Sequence, residues 1–82
     1  MPLFQLQFVR DDGTPAADAI VSVAGAPVPM PDLGRVTDAA GRVCIDGPIG
    51  SYSFSVWLDG SERRVHGELS LRSDVQVLQL PT

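Results

Sequence analysis

Residues 50–60 read Gly50-Ser51-Tyr52-Ser53-Phe54-Ser55-Val56-Trp57-Leu58-Asp59-Gly60. Tyr52, Phe54, Val56 and Leu58 fall at every second position, with Ser53, Ser55 and Trp57 between them. Successive side chains of an extended chain leave opposite faces, so this spacing describes a strand with one apolar and one largely polar side. A side this rich in aromatic and β-branched residues belongs in the middle of a sheet, and a central strand is predicted. Asp59-Gly60-Ser61 ends it, because Asp bonds to its own backbone and Gly accepts a positive φ.

Working outward, the rest of the chain repeats that design in short pieces. From Phe4 to Arg10 the residues alternate again, with Phe4, Leu6 and Phe8 on one face and Gln5 and Gln7 on the other. Asp11-Asp12-Gly13-Thr14-Pro15 supplies a turn, and Ala19, Val21 and Val23 then share a face opposite Ile20 and Ser22. Three prolines at alternate positions, Pro27, Pro29 and Pro31, cannot lie in a central strand because they donate no ladder bonds, so 25–34 is predicted to be a stiff loop. Val36-Thr37 and 42–45 flank Asp38-Ala39-Ala40-Gly41, a type I turn by its Asp and Gly, and a tight hairpin with a bulge at Gly41 is expected. After a turn at 47–50 and the central strand come a weaker strand near 63–71 and a last one over 75–80. There the apolar positions switch from Val75 and Val77 to Leu78 and Leu80, which predicts a bulge or a strand buried on both sides. About seven strands result, with no helical period, no repeat and no internal boundary: one all-β domain over 1–82 with the punctuation of a β-sandwich.

Composition agrees with a small globular domain. A chain of 82 residues with 44% hydrophobic and 20% charged residues can bury a core, though a thin one. The net charge of −4 repels phosphate backbones and anionic lipid headgroups, which argues against nucleic acid as a partner. No apolar run approaches the ~18 residues of a membrane helix, and the first residues lack a basic and apolar leader. The chain is therefore expected to stay in the cytoplasm where it is made, unless it is exported by a signal-independent route or is a piece of a longer protein. Cys44 is the only cysteine, so no internal disulfide forms.

Three segments taken together, Gly13-Thr-Pro-Ala-Ala-Asp-Ala-Ile-Val-Ser-Val, Thr37-Asp-Ala-Ala-Gly-Arg-Val and Gly47-Pro-Ile-Gly-Ser-Tyr-Ser-Phe-Ser-Val, resemble the carboxypeptidase regulatory-like domain. That family belongs to the transthyretin-like (prealbumin-like) and adhesin B-type sandwich group, and the resemblance covers about residues 4–80. It implies a single seven-stranded Greek-key sandwich that works as a non-catalytic accessory module. Such modules sit beside peptidases, in surface proteins, in outer-membrane transport systems and on spikes of contractile, type VI-like secretion machines. The matched residues are structural ones: Asp38 and Gly41 in the turn, Tyr52, Phe54 and Val56 in the core, Ala19, Val21 and Val23 facing them. Some relatives carry a Lys to Asn or Asp cross-link, which a chain without lysine or asparagine cannot form. The related hydrolase of purine degradation uses several histidines and a Tyr-Arg-Gly-Ser end, whereas here His66 is alone and the chain closes on Gln79-Leu-Pro-Thr.

Residue chemistry points the same way. His66 and Cys44 are two donors where a tetrahedral zinc site needs about four, and the aspartates lack the spacing of a calcium loop. Asp11, Asp32, Asp38, Asp46, Asp59 and Asp74 fall instead at predicted turns. No serine sits in a nucleophile elbow that His66 could serve, and His66 is expected to face solvent. Cys44 is expected in or beside a buried strand position, acting as a small hydrophobe. No enzyme, cofactor or metal is therefore expected.

What remains is binding. Period-two geometry sends Trp57 outward, and exposed tryptophans anchor interfaces; a loop folding over it is the competing expectation. Val28 and Met30 ride on the proline loop, whose stiffness lowers the entropy lost on binding, or else the loop simply covers a sheet edge. Arg63 and Arg64 are a paired cation on a late strand, most simply a solvated surface. Free edge strands offer a third route, by addition of a partner's strand. The expected function is a protein-protein interaction module, an accessory or adaptor in a bacterial surface or secretion-associated assembly, with self-association open. The alternative is a carbohydrate-binding sandwich stacking sugars on Trp57, disfavoured by the single tryptophan and single tyrosine.

Overall fold

In the computed structural model the described residues are 3–28, 34–70 and 74–81. They form seven strands and no helix: β1 (Leu3–Val9), β2 (Ile20–Gly25), β3 (Arg35–Val36), β4 (Arg42–Asp46), β5 (Gly50–Leu58), β6 (Ser61–Leu69) and β7 (Gln76–Gln79). Two sheets result, one ordered β4-β1-β7 and the other β3-β2-β5-β6. All sheet neighbours run antiparallel except β1 and β7, which are parallel.

The alternating residues bring the sheets together. Phe4, Leu6 and Phe8 of β1 meet Tyr52, Phe54, Val56 and Leu58 of β5 in one buried cluster, joined by Val21, Val43, Ile45, Val65, Leu69, Leu78 and Leu80. Aromatic rings bridge the layers: Phe8 stands edge-on to Phe54 at 5.6 Å and Phe4 to Tyr52 at 6.5 Å, separations at which ring edges meet ring faces favourably. The Tyr52 hydroxyl leaves this core by donating to the Pro48 carbonyl at 2.6 Å. As predicted, β5 is an interior strand of the larger sheet.

β2 pairs with β5 in that same sheet, so Val21 and Val23 lie beside Val56 and Phe54 and do not face them from the other layer as expected. Four further expectations are corrected. The Asp38–Gly41 turn forms, with the Gly41 N–H donating to the Asp38 carbonyl at 3.0 Å, but it does not close a hairpin. β3 joins β2 in one sheet and β4 joins β1 in the other, so the turn is a corner between layers. The corner is held because Gly41 lies against β1, where its carbonyl accepts the Phe8 N–H at 2.8 Å. Second, β6 is no weak strand: it matches the length of β5 and pairs with it residue by residue from Ser61 to Leu69. Third, β7 buries one face only. Leu78 and Leu80 are buried while Val77 is 55% exposed, because pairing beside Phe8 aims Leu78 into the core. Fourth, Cys44 does lie beside buried strand positions, Val43 and Ile45, but its own side chain is exposed and so does not act as a small core hydrophobe.

Candidate functional site

The outer face of the β3-β2-β5-β6 sheet carries the surface features of most interest. The register places Val36 opposite Ile20, Ile20 opposite Trp57, and Trp57 opposite Glu62, so one row crosses all four strands. Val36 is 64% exposed, Ile20 48% and Trp57 47%, which makes three of the four residues in that row solvent-facing apolar side chains. The next row holds Ser22, Ser55 and Arg64, and beyond it Ser53 lies opposite His66 and Ser51 opposite Glu68. An apolar bar at one end of the sheet thus grades into a hydroxyl-rich, charged region at the other.

Local bonds tie that polar region together. Ser53 Oγ and His66 Nδ1 lie 2.8 Å apart, the Ser51 hydroxyl bonds to Glu68, and the Ser55 hydroxyl bonds to Glu62, whose other oxygen lies 3.9 Å from Arg64 Nε. The serine and histidine considered as a possible catalytic pair do therefore touch. They do so on an open strand face, and neither lines either of two concavities formed by the described residues. One of these is a cleft of about 200 Å³ lined by Arg10, Asp11, Leu58, Arg63, Leu80 and Pro81. The other is a groove of about 610 Å³ between β3 and β4, lined among others by Arg35, Val36, Asp38, Arg42 and Cys44.

The residues singled out from sequence do not all come together. Trp57 and Arg64 share the outer face in adjacent rows. Arg63 points the other way: it is half-buried, and it lines the cleft beside Leu58 and Leu80. Val28, 43% exposed, follows the end of β2 that pairs with Ser53, the opposite end of the sheet from Trp57. Met30 lies outside the described residues. Two members of the bar, Ile20 and Val36, were missing from the sequence-based candidates. Ile20 was legible, since alternation put it opposite Ala19 and Val21. Val36 was not, because a two-residue strand has no period to read.

Among the described residues no three His, Cys, Asp or Glu side chains gather as metal ligands would, and no helix is long and apolar enough to cross a membrane. The aspartates do turn work. Asp38 Oδ1 accepts the Arg42 and Ala40 N–H groups, both at 2.9 Å, and these bonds, that of Arg42 foremost, lower its pKa. Asp12 is lowered by the Thr14 hydroxyl and N–H, and Asp59 by its hydrogen-bonded ion pair with Arg10. Asp46, by contrast, ends β4 and is the exception to the predicted turn placement; Asp32 lies outside the described residues. No family model matches the chain, and no curated protein matches it either.

Proposed function

We propose that this chain is a non-catalytic protein-binding module whose contact surface is the Val36–Ile20–Trp57 bar. The observation that carries the reading is the register itself: three large apolar side chains are held exposed and adjacent on three paired strands. A sheet is a rigid platform, so little conformational entropy is lost when a partner covers it, and an indole continued on one side by two aliphatic side chains suits an interface anchor. Hydroxyls and charges in the neighbouring rows then serve as a polar rim.

The finer reading of the fold belongs with this proposal. Of the residues that resemble the carboxypeptidase regulatory-like domain, Asp38 and Gly41 make the corner and Tyr52, Phe54 and Val56 face Phe4 and Phe8 across the core, which supports the resemblance, whereas Val21 and Val23 stand beside β5 in its own sheet. A Greek-key, transthyretin-like sandwich acting as an accessory or adaptor of a bacterial surface or secretion-associated assembly is the role that resemblance favours.

Site-specific photocrosslinking in the native host tests the binding surface. A photoreactive residue placed at 57 is expected to trap one discrete protein, while the same group at Gln5, exposed on the other sheet, traps none. Trp57→Ala is expected to fold normally and weaken that partner's binding by about 2 kcal/mol, the scale of an interface anchor. Equal labelling from both positions, or capture of a glycan and no protein, would sink the reading.

A further inference from the structure

The free edge of β6 carries an inference of its own, independent of the Trp57 surface. Asp59 and Gly60 have φ of 54° and 79°, so the β5–β6 connection is a two-residue type I′ hairpin whose closing pair, Leu58 and Ser61, is hydrogen-bonded. Hydrogen-bonded and non-hydrogen-bonded pairs alternate from there. Arg63, Val65, Gly67 and Leu69 therefore turn their backbone groups toward β5, and Glu62, Arg64, His66 and Glu68 turn theirs outward. The Glu68 carbonyl fits this parity, since it accepts the Gln76 side-chain N–H at 2.8 Å from outside the sheet.

The other edges are shorter or capped. β3 has two residues and β7 four, and the first residue of β4, Arg42, has both its N–H and C=O taken by Asp38. Among the described residues β6 is thus the longest edge, covered only where the Gln76 side chain bonds the Glu68 carbonyl, a side-chain contact that a pairing strand's N–H would replace, and its outward side chains read Glu62, Arg64, His66, Glu68. Charges on an edge repel an indiscriminate strand, but they can admit one that is complementary.

We infer that the strand this edge admits is β6 of a second copy, paired antiparallel about a two-fold axis at His66. Parity restricts the two-fold registers to a short series, and charge separates them. An axis at Arg64 sets arginine against arginine. An axis at Arg63 opposes the two half-buried Arg63 side chains, and one at Val65 sets Glu62 against Glu68. With the axis at His66, the two His66 side chains meet on the axis, Arg64 of each copy lies opposite Glu68 of the other, Val65 opposite Gly67, and Arg63 opposite Leu69, so no pair sets arginine against arginine or carboxylate against carboxylate. Moving the axis further along only shortens the ladder. The two four-stranded sheets would join into one continuous sheet, leaving both Trp57 side chains on its outer face.

Sedimentation equilibrium of the purified chain tests this. A monomer–dimer equilibrium is expected below roughly 1 mM. Arg64→Glu, which sets carboxylate against carboxylate twice, is expected to weaken the dimer about tenfold or more. The double reversal R64E/E68R restores opposite charges and is expected to recover wild-type association, and Trp57→Ala leaves it unchanged. All these positions are exposed, so circular dichroism should report an intact fold for each. A chain that stays monomeric at 1 mM, an R64E variant that dimerises as well as the wild type, a double reversal that fails to rescue, or a dimer lost with Trp57 would each overturn the inference.

Discussion

Thr37 ties its own segment to the 16–19 connection with one hydroxyl. It is 2% exposed, its Oγ1 accepts the Ala19 N–H at 2.9 Å, and it donates to the Ala16 carbonyl at 2.6 Å. Ala16 and Ala19 are both fully buried, so neither backbone group has water to turn to. Thr37→Val keeps the shape and removes both bonds. It is expected to cost about 1–3 kcal/mol, the penalty of leaving buried groups unpaired, read as a shift in the urea unfolding midpoint. A change under a few tenths of a kcal/mol would mean that those bonds are replaced. Residues of this kind are nearly silent in the sequence. Thr37 stands next to a turn Asp, and nothing in its neighbours says that the hydroxyl reaches back across about twenty positions.

At the scale of elements, two glycines with almost the same backbone separate two reasons for using glycine. Gly60 in the β5–β6 hairpin has φ 79° and open space where a Cβ would go, whereas Gly41 at the corner has φ 77° and its Cβ would run into the Phe8 carbonyl and lie 3.0 Å from the Ala16 nitrogen. Gly60→Ala therefore carries only the strain of a left-handed residue, about 1–2 kcal/mol. Gly41→Ala adds a backbone collision that no side-chain motion relieves, and should destabilise by clearly more in the same unfolding assay. Equal losses would show that the corner gives way easily. The turn itself was legible, because Asp-Gly after an alternating run is a local signal, whereas the full-length pairing of β6 with β5 was not. The corner was half legible: Asp38 and Gly41 announced a turn, but whether β3 and β4 pair or part depends on β1 and β2, which lie far off in the chain. The same holds for β7, whose choice between Val77 and Leu78 is made by its parallel partner β1.

For the whole molecule, acid is the informative variable. Asp12, Asp38 and Asp59 all have pKa values lowered by hydrogen bonds or an ion pair that exist only in the folded chain. A lowered folded pKa means that the unfolded chain takes up protons first as pH falls. The contribution to stability is therefore complete above the unfolded value near 3.8, and it is lost as pH falls through the folded values. Stability should be level between about pH 5 and 7 and drop below about 4. Asp38→Asn should be less stable than wild type at pH 6, with the gap closing toward pH 2; a gap that stays constant would mean that Asp38 does not sense acid through this route. What the sequence determined by itself is local in origin. Period-two alternation and turn chemistry act between near neighbours, so the all-β class, the core faces of β1, β2 and β5, and the outward placing of Trp57 could all be read directly. Only the tertiary structure decided which strands share a sheet, that Ile20 and Val36 line up with Trp57, that Arg63 lines a cleft beside Leu80, and that β6 is the longest edge among the described residues. Those outcomes rest on pairing between strands remote in sequence, and no short window of residues carries that information.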